Sequence, residues 1–296
     1  PSFYGFYRMI LLFDLLSRLP LRLLHVLGGL FGWAVYLLSR RYASRLRENL
    51  RGAGLARDEE EYRALLHANI RESGKGVLEL PWLWRRPLPQ VMDSVKACHG
   101  LAAVDAARAD GRGVIILTPH LGCFEVASLY VGASMPLTIM YRPPRWKSLD
   151  RLMHMGRARG RVQLVGADLG GVRQMFKTLK QGGIIGVLPD QAPGNGEGEW
   201  APFFGRPAYT MTLIGRLVGI SDAPVFMCVG ERLPRGAGYE LHFLPLTFDP
   251  AVSTPLQMNA ALEQAIRRLP AQYLWSYNRY KVPRGATSPP DSKREA

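Results

Sequence analysis

Short apolar runs alternate with longer amphipathic segments through the middle of this 296-residue chain. The runs are rich in Val, Ile and Leu, which is typical of strands buried on both faces. They occupy residues 114–117, 137–140, 162–165, 184–188, 225–229 and 241–244, and helices are predicted near 122–131, 147–158, 169–180 and 209–219. This alternation predicts an α/β fold, with a mainly parallel mixed sheet flanked by helices.

A histidine and an acid follow the first of these runs. Because active sites in such sheets lie beyond the carboxyl ends of the strands, His120 is the best candidate for a catalytic group. Positions five apart on one helix point about 140° away from each other, so His120 must precede the helix that carries Glu125. Pro119 and Gly122 favour such a turn.

We therefore predict that His120 is a general base and that Glu125, in the first helical turn, orients its ring. The alternative is that His120 is a strand-end residue bonded to the backbone and that Glu125 only complements the helix dipole. Cys123 lies between them and would allow a Cys-His nucleophile, although an isolated cysteine usually behaves as a small apolar residue.

Further candidates lie downstream. Arg157 and Arg159, with Arg142 behind them, are predicted to bind phosphate or support an oxyanion; the alternative is a solvated cationic face. Asp190 and Gln191 follow another predicted strand and either line the pocket or stabilise a turn. Three aromatic residues either border an apolar substrate channel or belong to the core: Phe203, Phe204 and Tyr209.

The chain is strongly basic, with 38 Lys and Arg against 24 Asp and Glu and a formal net charge of +14. Such a charge indicates an anionic partner, but charge alone does not choose among nucleic acid, lipid headgroups and an acidic carrier protein. No nucleic-acid motif is present, so nucleic acid is not predicted. There is also no His-Glu-x-x-His motif; we predict no metal, and ligation by His120, Cys123 and Glu125 is a weak rival.

The N-terminal segment, residues 1–40, is strongly apolar and interspersed with arginine. Polar residues and Pro20 divide it into two helical pieces, and the run 23–38 has sixteen residues where a spanning helix needs about 20. We predict a helical anchor that dips into one leaflet, with a true span or an ordinary basic helix face as alternatives. The segment lacks a small-residue cleavage site and is not interpreted as a removed signal peptide.

Three cysteines, Cys98, Cys123 and Cys228, are too few and too widely spaced for a disulfide framework, which suits a reducing compartment. The predicted organisation is a membrane-anchoring helical segment at 1–40, one α/β domain at 41–283 and a flexible tail at 284–296.

Residues 46–281 resemble the late acyltransferases of lipid A biosynthesis, the lauroyl and myristoyl transferases within the larger lysophospholipid and glycerol-phosphate acyltransferase group. The family pattern of His, four residues and an acid falls on His120 and Glu125. Five further motifs follow in order: Tyr141-Arg142-Pro143, Gly156-Arg157-Ala158-Arg159, Pro189-Asp190-Gln191, Pro202-Phe203-Phe204-Gly205 and Gln272-Tyr273-Leu274-Trp275.

This resemblance implies a Gram-negative enzyme of lipopolysaccharide biosynthesis on the cytoplasmic face of the inner membrane. Such an enzyme transfers a fatty acyl chain from acyl carrier protein to a hydroxyl of a lipid A precursor. Its expected partners are acyl carrier protein, an anionic glycolipid acceptor and membrane lipids, and it needs no cofactor beyond the acyl-acyl carrier protein co-substrate. Transfer to a phosphatidylinositol mannoside or a lysophospholipid, with coenzyme A as carrier, is an alternative, as is a non-enzymatic basic membrane-binding module.

Overall fold

The computed structural model describes residues 3–194 and 196–290. Six helices precede the sheet: α1 (Phe3–Ser17), α2 (Leu21–Leu38), α3 (Arg40–Gly52), α4 (Glu59–Leu78), α5 (Leu80–Arg85) and α6 (Leu88–Asp93). Pro20 and Ser39 stand at the two ends of α2, so the apolar segment forms two helical pieces as predicted. The Asp58 side chain caps α4 by accepting a hydrogen bond from the Glu61 amide, and three glutamates follow in the first turn.

The remaining helices and strands build the sheet and its covering layers. In chain order they are β1 (Val95–His99), α7 (Leu101–Ala109), β2 (Val114–Leu117), α8 (Phe124–Ser134), β3 (Leu137–Tyr141), α9 (Lys147–Arg157), β4 (Val162–Gly166), α10 (Leu169–Lys180), β5 (Ile184–Val187), β6 (Gly198–Phe203), β7 (Arg206–Met211), α11 (Leu213–Ser221), β8 (Val225–Arg232), β9 (Tyr239–Leu246) and α12 (Thr254–Arg268). Seven strands form one sheet in the order β1-β9-β8-β2-β5-β3-β4. Every pairing is parallel except that of β8 with β9, so the predicted α/β fold with a mainly parallel mixed sheet is confirmed.

All six predicted strands are present, but the sequence patterns missed three others. β1 lies at the edge of the sheet, and β6 and β7 form a separate antiparallel hairpin. Pro202 and Pro207 fall within the hairpin strands, and proline is a signal against strand. The helix predicted from residue 209 begins at Leu213, because residues 209–211 belong to β7.

The central strands are apolar on both faces because helices cover both. Ile115 and Leu117 of β2 pack into one core cluster, whereas Val114 and Ile116 pack into the other. All four residues of β2 and all four of β5 are buried. This double burial explains the continuous apolar runs in the sequence.

The N-terminal helices pack on the α/β domain. Phe13 of α1 stacks on Trp84 of α5, and Asp14 forms an ion pair with Arg85. The predicted boundary at residue 40 falls between α2 and α3, and the division into domains stays a prediction. Residues 284–290 contain no helix or strand, and the rest of the predicted tail, 291–296, lies outside the described residues.

Glycines allow α2 to approach α4 closely. A Cβ atom at Gly32 would lie 2.1 Å from the carbonyl oxygen of Ile70, and one at Gly74 would lie 2.0 Å from that of Gly28. Only glycine fits at such positions, and close backbone contact of this kind fixes how two helices pack. One face of α2 therefore packs closely against α4.

The opposite faces of α1 and α2 are exposed and apolar. Among the described residues, α2 is the one helix that is long and apolar enough to cross a membrane, and 33% of it is buried in the protein. The exposed large apolar residues of the two helices are Tyr7, Leu11, Leu12, Leu15, Leu23, Val26, Leu27, Leu30, Phe31, Leu37 and Leu38. Exposed apolar surfaces of this extent are rare on proteins surrounded only by water, and they indicate an interaction site.

The close packing of α2 against α4 predicts that alanine substitutions at Gly32 and Gly29 have opposite effects on stability. Gly32→Ala should destabilise the chain by about 1–3 kcal/mol, because the added methyl group meets backbone. At Gly29 the added carbon would meet only the Arg71 side chain at 3.7 Å, so Gly29→Ala should be neutral or stabilise by up to about 1 kcal/mol. Denaturant unfolding in detergent micelles measures both, and equal effects of the two substitutions would contradict the close contact.

Candidate active site

His120 and Asp190 meet because the strands before them are neighbours in register. Leu117 at the end of β2 pairs with Val187 at the end of β5, and each of the two residues lies three positions further on. The Nδ1 atom of His120 lies 2.9 Å from Oδ1 of Asp190. The backbone amide of His120 donates to the other carboxylate oxygen at 2.9 Å. Both oxygens of one carboxylate therefore fix a single histidine.

Asp190 and Gln191 together set the tautomer of the His120 ring, because an ionised carboxylate beside Nδ1 can only accept a hydrogen bond. The amide Nε2 of Gln191 lies 3.2 Å from Nε2 of His120, and an amide NH₂ group can only donate. In this arrangement Nε2 of His120 accepts, so the ring proton is on Nδ1 and points at Asp190. The His120 side chain is 12% exposed. With its proton on Nδ1, the ring can act as a general base through Nε2 once a substrate hydroxyl takes the place of the Gln191 amide.

Asp190 stays ionised although it is buried. Burial raises the pKa of Asp190, but attraction to the protonated form of His120 and the hydrogen bonds from its ring and backbone amide lower it, and the net pKa lies below the ordinary value. A carboxylate beside Nδ1 stabilises the imidazolium that forms when Nε2 takes a proton.

The turn that carries His120 is tied down on two sides. Gly122 has a φ of +65°, and a Cβ there would lie 2.0 Å from the carbonyl oxygen of Gly230, so the predicted glycine turn is present. The segment after α12 crosses the turn: Gly122 donates to the Gln272 carbonyl and Leu274 donates to that of His120. This crossing explains what the Gln272-Tyr273-Leu274-Trp275 motif does in the fold.

Glu125 lies in the first turn of α8 as predicted, but the expected contact with His120 is wrong. Its carboxylate is 3% exposed and accepts hydrogen bonds from Arg157 Nε at 2.9 Å and from the indole of Trp84 at 3.3 Å. The turn directs the Glu125 side chain towards α5 and α9, while His120 faces β5. Asp190 therefore takes the position beside Nδ1 that the spacing suggested for Glu125.

The three predicted arginines lie in different surroundings. Arg157 forms an ion pair with Glu125. Burial lowers the pKa of Arg157, but the charge of Glu125 raises it more, so the pKa of Arg157 lies above its ordinary value. Arg159 donates to the carbonyls of Leu83 and Arg86, so it is engaged in fixing the end of α5 rather than brought to the site. Arg142 is exposed immediately beyond β3, at the same edge of the sheet as His120.

A pocket that is partly open to solvent lies between α8 and the sheet beside this site; the empty space in and around it, including the open solvent at its entrance, is about 560 Å³. The Phe124 ring, 4.8 Å from the His120 ring, forms part of its wall, and Glu125 and Arg157 form another part. Its remaining wall is mostly apolar: Ile116, Thr118, Ala127, Ser128, Val131, Leu137, Ile139, Met140, Tyr141, Leu164, Gly186, Val187, Leu188 and Cys228. Such a pocket suits a hydrocarbon chain.

The aromatic residues expected to border an acyl channel do not line this pocket. Phe203 and Phe204 are buried and pack in the core, and Tyr209 is buried with its ring against Trp200. The Phe203 and Phe204 rings contact each other, and Phe204 also contacts Trp275. Their place in the core is the alternative that the sequence left open.

The structure supports neither of the two alternatives, a Cys-His nucleophile and metal ligation by His120, Cys123 and Glu125. Burial raises the pKa of the Cys123 thiol well above its ordinary value, which opposes formation of the thiolate that a nucleophile needs. Cys123 and Glu125 do not join His120 in any three-ligand grouping among the described residues. Cys98, Cys123 and Cys228 are free thiols.

Comparison with known sequences identifies the family. The sequence profile of the bacterial lipid A biosynthesis acyltransferases matches residues 1–282. The chain belongs to this family.

Individual members of the lipid A acyltransferase family are similar over nearly their whole length. The chain is 28% identical over 280 residues to the lipid A biosynthesis lauroyltransferase of Escherichia coli K12, covering 93% of this chain and 90% of the relative. It is 27% identical to the palmitoleoyltransferase of the same strain, with 90% and 87% covered. A lipid A biosynthesis acyltransferase of Haemophilus influenzae is 24% identical, with 93% and 87% covered.

A buried ionic network supports the His120 turn of this acyltransferase, and sequence patterns gave no sign of it. Glu79, at the end of α4, accepts hydrogen bonds from Arg232 Nε at 2.9 Å and from Tyr239 at 3.0 Å, and lies 3.2 Å from His25 of α2. Arg232 also donates to the Gly122 carbonyl at 2.8 Å. Glu79 thus joins α2 and β8 to the catalytic turn.

The network predicts an acid-dependent stability. Burial raises the pKa of Glu79, but the Arg232 charge and the hydrogen bond to His25 lower it, to about 2. Since an unfolded glutamate titrates near about 4.3, the ionised group stabilises the fold above that pH by about 3 kcal/mol, and this contribution is lost as the pH falls through about 2. Glu79→Gln should therefore destabilise the chain most at neutral pH.

Thermal unfolding in micelles at several pH values measures this effect. The gap in melting temperature between wild type and Glu79→Gln should narrow as the pH falls from about 5 towards about 2. Glu48→Gln, which breaks only an exposed pair with Arg206, is the control and should change little. A gap that stays constant across the range would contradict the assigned role of the Glu79 charge.

Proposed function

We propose that this acyltransferase moves a fatty acyl chain from acyl-acyl carrier protein to a hydroxyl of a lipid A precursor, in a late, secondary acylation. The family and the names of the lauroyl and palmitoleoyl relatives support the reaction class. The observation that carries the proposal is the His120 ring, which Asp190 fixes beside an apolar pocket; the Phe124 ring in the pocket wall lies 4.8 Å from it.

In the proposed reaction Nε2 of His120 takes the proton of the acceptor hydroxyl as its oxygen attacks the thioester carbonyl. The carbon–oxygen bond forms, the carbon–sulfur bond breaks, and the imidazolium returns the proton to the departing thiolate. Asp190 stabilises the imidazolium between these steps. A positioned base contributes ~10² to 10⁴-fold in rate, or about 3–5 kcal/mol, and positioning of the two substrates supplies much of the rest.

The surroundings of the site suit an anionic acceptor and an acidic carrier protein. The loop between β3 and α9 presents Arg142 and Arg145, both exposed, and a Trp146 that is 73% exposed. This loop lies at the carboxyl edge of the sheet, as His120 does. Together with the net charge of +14, it favours phosphate-bearing glycolipids and acidic surfaces.

We propose that α1 and α2 lie in one leaflet of the inner membrane, on its cytoplasmic face. Their outer faces are apolar, and Arg8, Arg18, Arg22, Arg40 and Arg41 are exposed around them. The inner face of α2 is seated on α4, a polar helix, so lipid cannot surround α2. Free thiols and a cytoplasmic carrier protein as donor fit this side of the membrane.

The pocket beside His120 is the proposed acyl site. Phe13 of α1 stacks on Trp84, and the Trp84 indole donates to Glu125 in the pocket wall. Trp84 therefore links α1, the proposed membrane helix, to the wall of the pocket that would bind the acyl chain. Glu125 and Arg157 neutralise each other in this wall, which allows them to be buried beside hydrocarbon.

The purified full-length chain in micelles tests this function. It is incubated with acyl-acyl carrier protein or acyl-coenzyme A, and with a lipid A precursor, a lysophospholipid or a phosphatidylinositol mannoside. Mass spectrometry should show one added acyl group on the lipid A precursor, and acyl-acyl carrier protein should be the better donor. Acylation of another acceptor alone, or of none, would contradict the proposal.

The same assay tests the two proposed catalytic groups. His120→Ala should lower the rate ~10² to 10⁴-fold, and Asp190→Asn should lower it in the same direction because the ring loses its ionised partner. His154→Ala, at an exposed histidine of α9, is the matched control and should keep the wild-type rate. A near wild-type rate for His120→Ala would overturn the mechanism.

The acyl pocket predicts a change in chain-length preference. Val131 lies two turns along α8 from the catalytic end and lines the pocket, so Val131→Phe should shorten it and shift the products towards shorter acyl chains. Phe204→Leu alters the aromatic core outside the pocket and should leave the product distribution unchanged. Competition between acyl-acyl carrier proteins of different chain length, analysed by mass spectrometry, measures both, and a shift with Phe204→Leu alone would assign the channel to the hairpin instead.

A further inference from the structure

Four residues that take no part in the proposed reaction converge on one face of the sheet, at its β1 edge. Register places His99 of β1 opposite His242 of β9, and Glu231 of β8 opposite Glu240 of β9. Because side chains alternate along a strand, Glu240 and His242 point to the same face, and their opposite partners join them there. All four are at least partly exposed.

The possible ligand atoms lie at separations that one metal ion can bridge. Nε2 of His242 is 3.3 Å from Oε2 of Glu231 and 4.0 Å from Oε2 of Glu240. Nε2 of His99 is 3.7 Å from the same Glu240 oxygen. Nitrogen and oxygen atoms bound at about 2.1 Å to a tetrahedral Zn²⁺ lie about 3.4 Å apart. Ligand atoms of Glu231, Glu240 and His242 lie within 4.8 Å of one another, whereas the His99 ring stacks on that of His242 and would have to turn to join them.

Two features of the cluster call for a cation. The Nε2 atom of His242 is buried and has no hydrogen-bond partner among the described residues, although two carboxylates surround it. Glu231 and Glu240 are directly opposite each other on antiparallel strands, where like charges are destabilising. A divalent cation would satisfy the imidazole nitrogen and both carboxylates at once.

We propose that Glu231, Glu240 and His242 bind a structural Zn²⁺ ion, with His99 as the fourth ligand. The mixed nitrogen and oxygen set selects Zn²⁺ over Mg²⁺ and Ca²⁺, which prefer oxygen ligands alone. The ion would join three strands and secure β1 at the edge of the sheet. It would also steady the part of β8 next to Gly230, whose carbonyl accepts the Cys123 amide of the catalytic turn at 2.6 Å.

Zinc titration of the tag-free full-length chain, stripped of metal with a chelator, tests this site without reference to activity. Isothermal titration or competition with a chromogenic chelator should show one equivalent of bound Zn²⁺. Affinity should fall about tenfold or more in Glu231→Gln and in His242→Gln. His120→Ala and His67→Gln, which change histidines outside the cluster, should bind as the wild type does.

Circular dichroism and thermal unfolding of each variant separate loss of the site from loss of the fold. Zn²⁺ should raise the melting temperature of the wild type and of His120→Ala, but not that of His242→Gln. Three results would overturn the proposal: no saturable binding by the folded wild type, unchanged affinity in the folded Glu231→Gln and His242→Gln chains, or loss of binding in His120→Ala alone. The last would place the metal at the catalytic histidine.

Discussion

The hydrogen bond between Nδ1 of His120 and Asp190 is the interaction on which the rest of the site depends. It requires β2 and β5 to be neighbours in register, because each residue lies three positions beyond a paired strand end. With the ring proton directed at Asp190 and the Gln191 amide at the other nitrogen, Nε2 keeps its electron pair. The buried apolar strands β2 and β5, the glycine turn and the segment after α12 all keep these two side chains together.

The turn that carries His120 and the apolar helix α2 share one buried network. Glu79 receives Arg232 from β8 and contacts His25 from α2, while Arg232 reaches the carbonyl of Gly122. The desolvation of these charged groups is offset by their mutual attraction and by several hydrogen bonds. The outward faces of α1 and α2 are thereby positioned relative to His120 by the same contacts that keep its turn in place.

Periodicity and spacing predicted much of the fold but less of the site. All six apolar runs are strands, and β2 and β5 gave the clearest signal because burial on both faces leaves only apolar residues; the proline-containing hairpin strands gave no such signal. His120 was found from its place after a strand, and so was Asp190, but their pairing depends on the strand order, which local sequence does not encode. The spacing of Glu125 suggested a contact that the direction of the helical turn prevents. Glu79 and Arg232, far apart in sequence, carry no local pattern at all.

Nitrogen-15 NMR of the full-length chain labelled at histidine is the most direct measurement of the central claim, since imidazole shifts report which ring nitrogen carries the proton. Comparison with His120→Ala assigns the His120 signals. We predict, near neutral pH, a protonated Nδ1 and an unprotonated Nε2 for His120, with this preference weakened in Asp190→Asn. A proton on Nε2 in the wild type, or a His120 tautomer that does not respond to Asp190→Asn, would contradict the account.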